Sequence, residues 1–123
     1  MSSATLRALR GATTCDADTP DEIYEATREL LTRMMERNEL AHDDVVSVLF
    51  TTSPDLRSAF PATGARGVGF GDIPLMCASE IDVPGAMTRC VRVMMHVYTT
   101  RGREEMRHVY LRKAQALRDD LPE

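Results

Sequence analysis

The sequence predicts a mixed α/β domain of the α+β kind, with about five strands and one long helix. Three observations carry this. A capped amphipathic run fills residues 19–40, and two apolar runs rich in β-branched residues lie at 43–52 and 89–98. Weaker alternating segments at 5–14, 73–82 and 106–117 supply the remaining strands. With 123 residues, the chain is most simply one domain, 1–123, long enough to bury an ordinary core.

"TLRALRGATT" (5–14) sets Leu6, Ala8 and Arg10 against Arg7, Leu9 and Gly11, a period-two pattern. "TPDEIYEATRELLTRMMERNEL" (19–40) opens as helices open. Thr19 suits the N-cap, Pro20 the first helical position, and Glu22 completes a capping box. Ile23, Ala26, Leu30 and Met34 define a buried stripe flanked by Tyr24, Thr27, Leu31 and Met35, while Arg28, Glu29, Arg33 and Glu36 face solvent. "DDVVSVLFTT" (43–52) reads as a buried strand.

After a turn at "SPD", the stretch "LRSAFPATGARGVGFGD" carries Gly64, Gly67, Gly69 and Gly71, a loop around at most a short helix. No Gly-Lys-Ser/Thr closes it, so it is not a phosphate-binding P-loop. "IPLMCASEID" (73–82) is a short strand with a polar end, and "VPGAM" resets the chain. "RCVRVMMHVY" (89–98) is a long strand; after the turn "TTRGREE", "MRHVYLRKAQAL" (106–117) predicts the last one. The order is β–α–β–loop–β–β–β. One helix cannot cover both faces of such a sheet, so an uncovered apolar face and a homo-oligomer are expected.

Bulk properties exclude several classes. Hydrophobic content of 43% and charged content of 28% are those of a soluble globular chain. No apolar run approaches the roughly 20 residues that span a bilayer, and the N-terminus has no signal-peptide pattern, so no membrane partner is expected. Cys15, Cys77 and Cys90 form an odd set without a CxxC pair, which predicts neither disulfides nor structural zinc and suits a reducing cytoplasm. A net charge of −4 argues against general nucleic-acid binding. Of the fifteen basic residues only Lys113 is a lysine, leaving fourteen arginines. Codon bias explains that, and so does bidentate binding of planar oxyanions.

In the strand 89–98, Val91, Val93, Met95 and Val97 point one way, and Arg92, Met94, His96 and Tyr98 the other. Arg92 can thus project into a cavity where an anion answers its charge, or form an interfacial salt bridge. Periodicity leaves both open. His96 and His108 stand alone on separate strands, as core or interface histidines do. Cys77 and Glu80 lie three apart at a strand end without partners for a nucleophile system. Tyr110 reads as a half-buried strand aromatic, and Met94–Met95 as core filling. These residues name no reaction.

Four segments together resemble a known family: "RGATT" (10–14), "TSPDLRSAFPA" (52–62), "CASEIDVPGAMTRCVRVMMHV" (77–97) and "RHVYLRKAQALRDDL" (107–121). In this order they resemble the trimeric α/β class of chorismate mutases, often called the AroH class, over residues 6 to 121. The resemblance implies a homotrimer around a barrel-like β core, with active sites between subunits. It implies an isomerase that converts chorismate to prephenate on the way to phenylalanine and tyrosine, without metal or cofactor. Carried onto this sequence, Arg10 and Tyr110 would hold a substrate carboxylate, and Arg92 would face the ether oxygen and a carboxylate. Glu80 and Cys77 would accept and donate around the ring hydroxyl. Phe60, Ala62 and Arg66 would come from the adjacent subunit, and Leu117 would line the pocket.

Thr63 stands where the family commonly has lysine, and Met76 where threonine is usual, which alters one charge and one polar contact at the pocket mouth. The loop "GVGFGD" is shorter and richer in glycine than the pattern, and an end at Glu123 limits a long tail over the site. The rearrangement moves no proton and needs no covalent intermediate, consistent with a sequence that offers no triad or metal cluster. Two alternatives share the architecture: a trimeric imine deaminase with an arginine carboxylate clamp, and a non-catalytic sensor of a carboxylate metabolite.

Overall fold

The computed structural model describes residues 3–117. Among them the elements run β1 (Thr5–Thr14), α1 (Pro20–Arg37), β2 (Val45–Thr52), α2 (Pro61–Ala65), β3 (Leu75–Ser79), β4 (Cys90–Thr99) and β5 (Val109–Tyr110). The strands make one mixed sheet in the order β3-β2-β4-β1-β5. The central pairs β2–β4 and β4–β1 are antiparallel, whereas β3 and β5 join the edges in parallel. The expected five strands and one long helix are present.

Thr19 caps α1 through its hydroxyl, which accepts the Glu22 amide at 3.3 Å, and Pro20 follows as the first helical residue. The buried stripe is Ile23, Ala26, Thr27, Leu30, Leu31 and Met34. Leu30, Leu31 and Met34 pack with Leu9 of β1, Val48 and Phe50 of β2, and Val93, Met95 and Val97 of β4, while Ile23 and Ala26 pack with Cys15, Leu56 and Val91. Each large apolar side chain sealed there contributes about 1.5–3 kcal/mol relative to exposure. Gly11 sets the spacing, since a Cβ there would come within 2.5 Å of the Met34 sulfur. Similarly, a Cβ on Gly64 would lie 3.0 Å from the Tyr24 Cα, so glycine lets α2 rest against α1. Arg28, expected only to face solvent, also holds α2: its Nε donates to the Gly64 carbonyl at 3.2 Å.

The last element departs from expectation. Of residues 106–117 only Val109 and Tyr110 are strand, with a 3₁₀ turn over Arg112–Leu117. Tertiary partners take the backbone groups a longer ladder would use. Asn38, capping α1, accepts the Arg107 amide at 2.8 Å and donates to its carbonyl at 2.9 Å. The Arg10 amide donates to Nδ1 of His108 at 2.9 Å. Arg112 then takes φ +52°, a left-handed conformation that ends the extended run.

Among the described residues no α-helix packs on the second sheet face. Tyr110, Ala114 and Leu117 cover Ala12 at one edge, while Leu6, Leu49 and Tyr98 stay exposed.

Candidate active site

Strand register draws one row of residues across the whole sheet. Ala78 of β3 pairs with Thr51 of β2, Thr51 with Arg92 of β4, Arg92 with Ala12 of β1, and Ala12 with Tyr110 of β5. Because β4 alternates, Val91 and Val93 are sealed under α1 while Arg92 is exposed on the open face. Arg10 sits two positions along β1 from Ala12, opposite Met94, so it shares that face diagonally with Arg92.

Arg10, Arg92, Glu80, Tyr110 and Leu117 therefore converge on one cleft of about 260 Å³, floored by Gly11, Ala12, Leu49, Thr51 and Met94. Among the described residues that line it, two are arginines and one, Glu80, is a carboxylate. Among the described residues Arg92 has no carboxylate within ion-pair distance, so none of them consumes its charge in a salt bridge. Arg92 and Glu80 also border a neighbouring groove of about 450 Å³, walled by residues 81–83 and 86–88. Cys90 lies beside them. Burial pushes its thiol pKa up, partly offset by the Arg92 guanidinium.

The other expected site residues gather elsewhere. Phe60, Ala62, Thr63, Arg66, Met76 and Cys77 line a separate concavity of about 350 Å³ with Leu75. Phe60 and Met76 are 69% and 67% exposed there, far more than side chains of that size normally leave to water in a single chain. Cys77 does not join Glu80 within the chain. It pairs with Phe50, on the helix side of the sheet, whereas Ala78 and the Glu80 that follows it at period two belong to the Thr51 side. An odd spacing along an extended segment separates two side chains; that signal was present in the sequence.

Anchors below the cleft hold the strand ends. Ser53 accepts the Cys90 amide through its hydroxyl and donates its own amide to the Cys90 carbonyl, each at 2.9 Å. Asp55 accepts the Arg89 amide at 2.8 Å. Burial alone would push the Asp55 carboxyl up, but hydrogen bonds from Ser53 and the Arg89 amide hold it below the usual range. Among the described residues no group of three His, Cys, Asp or Glu could hold a metal ion, and no helix is long and apolar enough to cross a membrane.

The family model for chorismate mutase type I matches residues 6–121. The chain belongs to that family. Its relatives include chorismate mutase AroH of Thermus thermophilus, 45% identical over 117 residues that cover 94% of this chain and 96% of the relative. Chorismate mutase AroH of Bacillus subtilis is 43% identical over 94% of this chain and 92% of its own length. The solved chorismate mutase from Clostridium thermocellum superposes with a TM-score of 0.88 at 48% identity, covering 89% of this chain and 98% of that one. The mixed sheet under one long helix is thus the fold of this chorismate mutase family, as the four-segment resemblance implied. Thr51 was not singled out by sequence reading; the alternation of "VLFTT" against the buried Phe50 places it on the face of Arg92.

Proposed function

We propose that the Arg10–Arg92–Glu80–Tyr110 cleft is where this chorismate mutase, an isomerase, rearranges chorismate to prephenate. The observation that carries the reading is the convergence of the Arg10 and Arg92 guanidinium groups, Tyr110 and the Glu80 carboxylate on one small cleft. Chorismate is a dicarboxylate, and its [3,3] rearrangement breaks a C–O bond while a C–C bond forms. No proton has to move. Catalysis then consists of holding the side chain over the ring and placing fixed positive charge where the ether oxygen gains electron density.

Arg92 supplies that charge through a planar fork of donors, on a β-strand held on both sides by neighbours. Arg10 and Tyr110, adjoining across β1 and β5, hold a substrate carboxylate. Glu80 accepts from the ring hydroxyl, and Leu117 closes the apolar side. The Cys77 concavity, with Phe60, Ala62, Thr63, Arg66 and Met76, supplies the opposite wall from a neighbouring copy in a homotrimer. Two facts support that arrangement: the cluster is split between two concavities of one chain, and Leu6, Leu49 and Tyr98 are exposed on the open face. The free thiols Cys15, Cys77 and Cys90 fit a reducing cytoplasm.

Purified protein should consume the ultraviolet absorbance of chorismate and yield prephenate, which acid converts to phenylpyruvate. Folded protein with no rate above the uncatalysed one would sink the assignment, leaving the sensor or the imine deaminase. Sedimentation at micromolar concentration should give the mass of three chains; the mass of one would contradict a shared site.

A further inference from the structure

We propose that Thr51 is a positioning residue: its hydroxyl holds the Glu80 carboxylate away from Arg92, so that both charges stay available to the substrate. The inference rests on the cleft being the site of chorismate rearrangement.

The Thr51 hydroxyl donates to Oε2 of Glu80, and the Glu80 amide donates to the carbonyl of the next residue, Thr52, at 2.8 Å. Glu80 lies just beyond β3, in a segment whose next six residues are exposed. Without the hydroxyl, its three rotatable bonds would be restrained mainly at the backbone. Thr51 is well suited to the task. A β-branched side chain on a strand has a restricted χ1, so the position of its hydroxyl oxygen is largely preset, while the O–H can turn to a carboxylate, which can only accept.

The need for such a tether follows from the charges in the cleft. A carboxylate and a guanidinium lining one small cavity tend to close into a bidentate pair, the strongest arrangement open to them. That pair would occupy the fork Arg92 offers to the ether oxygen and the oxygens Glu80 offers to a hydroxyl. Among the described residues no such ion pair exists. Thr51 stands between the partners in the cross-sheet row, beside Arg92 on one side and Ala78, at the root of Glu80, on the other. Using the hydroxyl on Oε2 leaves Oε1 for a substrate donor.

The test is steady-state kinetics on the full chain with chorismate. Thr51→Val keeps the shape and removes the donor; kcat should fall about 10–100-fold, the scale of a misplaced group near the chemistry, with KM changing much less. Thr51→Ser, which retains the hydroxyl, should recover most of the rate. In a Glu80→Gln background, where the neutral amide cannot neutralise Arg92, adding Thr51→Val should cost less than about threefold. Equal losses in both backgrounds, a serine variant as poor as valine, or an unimpaired valine variant would each overturn the proposal. Should Thr51→Val not fold, as judged by circular dichroism, Thr51→Ala takes its place. A wild-type protein without turnover would remove the underlying reading of the cleft, an outcome distinct from a working enzyme indifferent to Thr51.

Discussion

The two faces of the one sheet are built from alternate residues of the same strands, yet they obey different rules. Under α1, Leu9, Phe50, Val93 and Met95 are sealed within one core cluster. On the opposite face Arg10, Thr51 and Arg92 border a cleft, and Leu49 remains partly exposed. A residue's parity therefore says whether its loss is felt as stability or as chemistry. Neighbours such as Phe50 and Thr51, or Val91 and Arg92, should give opposite phenotypes.

The largest effect that would break this comparison lies on the sealed face. Phe50→Ala should lose about 3–5 kcal/mol of stability, measured by denaturant unfolding, with turnover per folded molecule far less affected. A specific loss of rate in stable protein would mean that the faces are not independent. Arg92→Lys should do the reverse. With unfolding nearly unchanged, kcat should drop about 10²–10³-fold or more while KM moves much less, because a compact ammonium cannot reproduce the fork. A near-normal rate would mean that another arginine does the work.

Gly11→Ala probes the contact between sheet and helix. Its Cβ would press on the buried Met34 sulfur and on a Leu30 methyl 3.1 Å away. Overpacking of that kind should cost about 1–3 kcal/mol, and the adjacent Arg10 should report any strand displacement as a raised KM. The smallest effect sits away from both faces. His42 bonds Asp43 at 3.0 Å and Asp72 at 2.7 Å. Those bonds, Asp43's first, raise the His42 pKa, and the bond to His42 lowers that of Asp72. His42's contribution is complete below its ordinary value of 6.5 and is lost as pH rises through the raised one. Asp72's is present above 3.8 and is lost as pH falls through the lowered value. The Tm difference between wild type and His42→Asn should thus be widest between those values and narrow on either side. All three groups are solvent-exposed, so the difference should be small.

Local chemistry made much of the fold legible. Thr19 and Pro20 announce α1, its stripe gives the buried set, and the alternation of residues 89–98 separates Arg92 from Val91 and Val93. The same reasoning overextended the last strand, because nothing local reveals that Asn38 takes the Arg107 backbone or that His108 accepts the Arg10 amide. The resemblance set Cys77 and Glu80 together at the ring hydroxyl; within one chain their odd spacing in an extended segment puts them on opposite sides of the sheet.

By itself, then, the sequence determined the elements that propensity, capping and period dictate. Through four ordered segments it also indicated the family and the roles its residues would carry. The register decided the rest. Thr51 and Glu80 are 29 residues apart and meet because β2 and β3 pair in parallel at one offset. A slip of one residue would turn Thr51 into the core and Phe50 into the cleft. Which polar side chains share a face is local information; which of them touch depends on strand pairing, and that is settled by the packing of α1 on the apolar side.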